Sequence, residues 1–178
     1  MADTQRILHD YIPPRAYPVK GSVTAIQVGD LLFFDATYQG ITQHTVRPSS
    51  AGSAGASAAD GRYQFAQLFV GCSHQRHEAS SFNKDILISV DAEIDIQIAN
   101  LTGVATAATA EAAPGTNVGV AVTAAFVPIV DKVVVSGLHS VTVADNEAIG
   151  KVSRQVKNGD KLVRVHLKGV HVMSQVGV

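Results

Sequence analysis

The chain has no tryptophan and a single cysteine, Cys72, among 178 residues. One thiol excludes an internal disulfide, and a lone cysteine in a reducing compartment is most often a small buried hydrophobe. Aromatic residues make up only 6% of a chain that is 46% hydrophobic, with Ala, Val and Gly supplying most of the rest. That mixture suits thin, closely packed β layers better than a large ligand pocket walled by aromatic rings. Long apolar runs are also missing. The longest, VGVAVTAAFVPIV (118–130), is too short to span a bilayer and contains Pro128. The start, MADTQRILHDYIPP, has no apolar core behind a basic flank and does not read as a secretory signal. These features predict a soluble protein made in the cytoplasm. Fourteen basic and fifteen acidic side chains leave a net charge of −1, too little field to favour a phosphate backbone.

A single domain of this length buries about 70% of its unfolded surface and needs no metal or disulfide to hold it. Residues 1–20 carry Pro13, Pro14 and Pro18 interleaved with Tyr11, Arg15 and Tyr17. Proline donates no amide hydrogen bond and avoids central strands, so this segment is expected to be an extended arm. A β-rich domain is expected over 21–178. SVTAIQ, a turn at Gly29-Asp30 and LLFFDA read as short β segments, followed by a buried run, FAQLFVGC (65–72), and by KDILISV (84–90). RPSSAGSAGASAADGR (47–62) is almost all Ser, Ala and Gly and reads as a flexible insertion that stays mobile or orders against a partner.

In DAEIDIQIAN (91–100), Ile94, Ile96 and Ile98 alternate with Glu93, Asp95 and Gln97, the period of a half-buried strand. The alanines of 102–115 suggest a short helix closed by Pro114-Gly115. From there the pattern is β almost throughout, ending in KLVRVHLKGVHV behind an Asn158-Gly159 hairpin signal. No helical stripe of ten or more residues stands out. The fold class expected is all-β, a single antiparallel sandwich or barrel-like domain with an N-terminal arm and Ala/Gly/Ser-rich loops.

Reactive side chains crowd at one place, GCSHQRHEASS (71–81), where Cys72, His74 and His77 fall within six positions. Three such ligands suffice for an open zinc site, but no second ligand cluster completes the set. A Cys/His nucleophile pair likewise lacks an evident orienting acid. The favoured reading is structural: a strand ends and a polar loop turns the chain. Asp91, Glu93 and Asp95 share one strand face, and Arg164, His166 and Lys168 are candidates to face them on a neighbouring strand. Gly150-Lys151 lacks the upstream glycine and the following Ser or Thr of a phosphate loop. His139, His166 and His171 are scattered over β segments. No catalytic residue, metal ligand or cofactor is assigned.

The order of the β segments is informative in itself. VGDLLFFDA, AQLFVGC, DILISVDAEIDIQIA, PGTNVGVAV and AIGKVSRQVKNGDKLVRVHLKG resemble the segment series of capsid decoration, or cement, proteins of tailed phages. The matching phrases are Gly29-Asp30, Phe69-Val70-Gly71, Ile149-Gly150-Lys151-Val152 and Val163-Arg164-Val165-His166-Leu167, spread over about residues 21 to 169. The resemblance implies a non-enzymatic virion protein. It would form a homotrimer, sit on the capsid exterior and stabilise the lattice of a separate major capsid protein. Under that reading Tyr11, Pro13, Pro14, Arg15 and Tyr17 are the expected partner-binding residues. The alternatives are a glycan-binding β module of a head fibre, poorly equipped without tryptophan, and a thiol- or metal-dependent hydrolase at Cys72, His74 and His77.

Overall fold

A computed structural model describes residues 6–19, 25–34, 45–51, 54–79 and 84–169. They form strands β1 (Arg6–Asp10), β2 (Arg15–Val19), β3 (Leu31–Phe34), β4 (Val46–Pro48), β5 (Phe69–Ser73), β6 (Lys84–Ser89), β7 (Asp91–Ile98), β8 (Asn117–Val122), β9 (Pro128–Val135), β10 (Gly150–Val152) and β11 (Leu162–Lys168). One α-helix, α1 (Ala58–Leu68), precedes β5.

The strands make two barrels. In the order β1-β7-β11-β10-β8-β9, β9 also pairs with β7, at Gln97↔Lys132 and Ile98↔Val133, which closes β7-β11-β10-β8-β9 into a ring with β1 paired alongside β7. The second barrel is β2-β4-β3-β5-β6. The all-β, barrel-like architecture expected from the sequence is therefore what forms. Most pairings are antiparallel; β2–β4 and β7–β9 are parallel. Only Val90 separates β6 from β7, so the chain passes from one barrel to the other across a single buried residue.

The strongest strand signals hold in register. Along β7 the burial alternates with the sequence, and β11 lies antiparallel beside it with Val163 opposite Ile96, Val165 opposite Ile94 and Leu167 opposite Ala92. These apolar pairs line the larger core, and their polar neighbours form the outer face. β3 is different, being buried at every position. Leu31 and Phe33 join the larger core together with Phe69 and Cys72, while Leu32 and Phe34 join the smaller one with Val70. β3 and β5 are thus a wall common to two cores.

Four expectations need correction. The N-terminal segment is not a free arm: β1 pairs with β7 over Arg6↔Asp95 to Asp10↔Ala92, and β2 pairs with β6 from Arg15↔Ile88 to Val19↔Lys84. Pro18 is accommodated within β2, opposite Asp85. The 47–62 insertion contains the end of β4, a 3₁₀ turn at Ser49–Ala51 and the start of α1; residues 52 and 53 lie outside the described residues. The run 65–72 is not a single strand, since α1 continues to Leu68 before β5 begins. Residues 102–115 are not helical. They run as an extended strap, bridged at Ala99↔Ala105 and Ala112↔Val156, with Ala108 and Ala112 buried in the larger core.

α1 forms because its ends and one face are satisfied locally. Ser57 caps the helix by accepting from the Asp60 amide, and the Asp60 carboxylate accepts in turn from the Ala56 amide and from Gln64. The buried face is Gly61, Arg62, Phe65 and Ala66. Phe65 lies between Phe33 and Phe69, with ring centroids 5.8 and 5.6 Å away. Arg62 reaches across the chain. Its Nε donates to Glu147 Oε2 at 2.7 Å and its Nη2 to the Thr142 carbonyl at 3.2 Å. Both members of the pair are largely buried, at 6% and 13% side-chain exposure. Gly119 makes room for the arginine, because a Cβ there would stand 2.9 Å from Arg62 Cδ.

Removing one partner of a buried ion pair strands the other charge. Glu147→Ala is expected to lower the unfolding free energy in urea by about 3 kcal/mol. The double replacement Arg62→Met with Glu147→Leu should recover most of that loss. Equal destabilisation by the single and the double variant would refute the pair's role.

Candidate functional site

The five expected partner-binding residues fall in different settings. Tyr11 is 51% exposed, while its amide donates to the Asp91 carbonyl at 2.9 Å. Its ring lies 4.6 Å from that of His166 and 4.7 Å, edge on, from that of His9. Pro13 is exposed and Pro14 half-buried, in the short link that carries the chain from β1 in one barrel to β2 in the other. Arg15 and Tyr17 are strand residues of β2, and the Tyr17 ring packs edge on against Phe34, 5.7 Å away, at the border of the smaller core. Tyr11 and the two prolines therefore share a surface, whereas Tyr17 helps hold the second barrel together.

Below Tyr11 runs a charge ladder on the outer face of β7 and β11. The register places Asp95 opposite Arg164, Glu93 opposite His166 and Asp91 opposite Lys168. Arg164 grips Asp95 with two bonds, Nε to Oδ1 at 3.0 Å and Nη2 to Oδ2 at 3.2 Å. His166 Nε2 meets Asp91 Oδ1 diagonally at 2.6 Å. The three carboxylates anticipated on β7 are thus faced by Arg164, His166 and Lys168 of β11, as anticipated. The Asp91 bond fixes the imidazole on which Tyr11 rests, and His9 meets the tyrosine ring edge on.

The cluster around Cys72 does not converge. Cys72 is fully buried in the β3–β5 wall, and burial, reinforced by the nearby Asp10 charge, pushes its thiol up to about 12. His74 lies beyond the end of β5, exposed, 3.6 Å from Asp10 Oδ2 and 3.2 Å from Ser89 Oγ. His77 is buried and bridged through its backbone to Ile26. Among the described residues no three His, Cys, Asp or Glu side chains stand close enough to hold a metal ion. His139 sits half-buried in a left-handed turn with φ of 51°, and His171 lies outside the described residues.

Two glycines of the family-like phrases have local physical reasons. A Cβ on Gly71 would run into the Ser89 carbonyl of β6, and one on Gly150 into the His166 carbonyl of β11. Both mark close backbone approach between strands. The Gly29-Asp30 phrase is a turn, with φ of 89° at Gly29 and the Gln27 amide donating to Asp30 Oδ2 at 2.8 Å. Asp30 is only 6% exposed, and burial pushes its carboxyl from 3.8 up to about 6, with the Gln27 amide opposing and the Asp131 charge adding to the rise.

The sequence reading did not pick out a cleft of about 440 Å³ beside β11, lined in part by Arg154, Lys157, Lys161 and Arg164. A signal was present. Residues 151–164 hold Lys151, Arg154, Lys157, Lys161 and Arg164, five of the fourteen basic side chains, at spacings of three and four.

Comparison of the chain with protein-family models, with curated proteins and with solved structures finds no match. No helix among the described residues is long and apolar enough to cross a membrane.

Two outcomes follow from the buried titratable groups. A thiol held protonated and out of solvent reacts slowly. Ellman's reagent should therefore leave Cys72 untouched in the native protein and label it fully in guanidinium; rapid native labelling would contradict this burial. For Asp30 the folded-state pKa lies above the unfolded one, so its contribution favours folding most at low pH and is lost as pH rises through about 6. Asp30→Asn keeps an acceptor for the Gln27 amide. It should flatten the pH dependence of the melting temperature between about 4 and 6 and raise stability at neutral pH. An unchanged slope in that window would assign the titration elsewhere.

Proposed function

We propose that this chain is a structural decoration protein of the tailed-phage type. It binds the exterior of an icosahedral head as a trimer and reinforces the lattice of a separate major capsid protein. The observation that carries this reading is the prepared surface around Tyr11. A half-exposed tyrosine is held between two imidazoles beside an exposed proline link, on the outside of a barrel. Such an aromatic anchor has already lost much of its conformational entropy, so a partner gains more of its contact energy. The series of phrases resembling the decoration family supports the same reading, since those phrases fall on β5, β10 and β11 and on the turn that opens β3. A protein of this kind works by repeated weak grip, each contact raising the effective concentration of the next.

Deleting residues 2–18 would remove β1 and most of β2, and so would disturb the fold together with the Tyr11 surface. Tyr11→Ala is the cleaner change, as the ring is exposed and only the backbone amide joins the sheet. Wild-type protein should saturate emptied phage heads stripped of their own decoration protein in co-sedimentation. Tyr11→Ala should reduce occupancy about tenfold or more while leaving the melting temperature within a degree or two. Light scattering of the isolated protein should give three times 18.6 kDa. A monomer that stays in the supernatant with every such particle would sink the proposal.

A further inference from the structure

The cleft beside β11 has its two carboxylates already engaged and most of its cations free. Asp95 has both oxygens committed to Arg164, and Asp160 Oδ2 accepts from the Lys157 amide at 2.8 Å. Arg154, Lys157 and Lys161 are exposed, and no carboxylate among the described residues pairs with any of them. Leu162 stands at the rim, 44% exposed, and is the apolar side chain the cleft presents, since Val156 and Val163 are each 1% exposed and belong to the larger core. The volume, about 440 Å³, is within the roughly 300–1,000 Å³ span of small recognition clefts.

We infer that this cleft is a docking site for an acidic, extended peptide segment of another protein chain. Its carboxylates would pair with Arg154, Lys157 and Lys161, and an aliphatic side chain between them would cover Leu162. The mixture of groups separates this occupant from others. A phosphate polyanion offers no aliphatic group to cover Leu162, and a net charge of −1 gives no wider field to draw a long polyanion in. A small inorganic anion would leave the apolar rim uncovered. An acidic peptide with aliphatic residues meets both parts, and charge complementarity at an exposed rim favours encounter and register. This surface belongs to β11 and the hairpin before it, not to Tyr11 and the link between barrels. The inference therefore stands whether or not the protein decorates a shell.

The test is fluorescence anisotropy of the full chain with a fluorescein-labelled peptide alternating glutamate and leucine. Saturable binding that weakens with rising salt is expected. The double variant Lys157→Glu with Lys161→Glu should weaken it about tenfold or more. Lys132→Ala, which alters a cation already paired with Asp131 at 2.7 Å on β9, should leave it unchanged. If the charge-reversed protein melts abnormally, the milder pair Lys157→Gln with Lys161→Gln carries the same comparison with a smaller loss. Four outcomes overturn the inference: no saturable binding, equal binding by the charge-reversed protein, displacement of the peptide by inorganic phosphate or a short oligonucleotide, or equal affinity for a lysine–leucine peptide.

Discussion

The pairing of β3 with β5 is the constraint on which the rest of the molecule depends. The residues of both strands divide between two different cores, so neither strand has a side that tolerates water. Leu31, Phe33, Phe69 and Cys72 complete the larger barrel from outside it, and Leu32, Phe34 and Val70 fill the smaller one. This explains why Phe69-Val70-Gly71-Cys72 contains no polar side chain and why Cys72 behaves as a hydrophobe. It also explains Gly71, where the wall must pass within van der Waals reach of β6. Two small barrels that each bury little surface on their own become one folding unit by sharing this wall.

How much of this was legible depended on how local the decisive interaction is. β7 and β11 could be read from the sequence because burial there follows an alternation that each strand carries within itself. The cross-strand partners Arg164 and Asp95 were also legible as types, since like charges on one strand face call for opposite charges on the next. α1 was hidden. Its buried face depends on an arginine whose partner, Glu147, lies 85 positions away, and Gly61 and Arg62 interrupt the apolar stripe that a helix usually shows. The alanines of 102–115 misled in the opposite direction. Their helix propensity is overridden because Ala108 and Ala112 bury as part of a strap, with the Ala108 amide bonded to Asp160 and the Ala112 amide to Val156. The N-terminal segment was misjudged for a third reason. Pro13 and Pro14 mark the break between β1 and β2, yet nothing within residues 6–19 encodes the β6 and β7 backbones that these strands join.

The same distinction governs the candidate surfaces. Tyr11 drew attention as an aromatic residue among prolines, but its significance comes from His166, which is held in place by Asp91 on a third strand. A linear reading sees three unrelated residues. Only the register of β1 on β7 and of β7 on β11 brings them together.

Net charge concealed the basic cleft for a related reason. Fifteen acidic and fourteen basic side chains nearly cancel over the whole chain, which suggests an even surface. The β7–β11 ladder makes it uneven. Asp95 is held by the guanidinium of Arg164, and Asp91 by the imidazole of His166, a side chain charged only when protonated. On the hairpin that feeds β11, by contrast, the Asp160 carboxylate is turned onto the Lys157 amide to close the Asn158-Gly159 turn. The turn thereby engages the carboxylate that lies between Lys157 and Lys161 in the chain. A residue that serves hairpin geometry thus leaves its neighbouring cations exposed, which is how a nearly neutral chain comes to carry a cationic rim beside an exposed leucine.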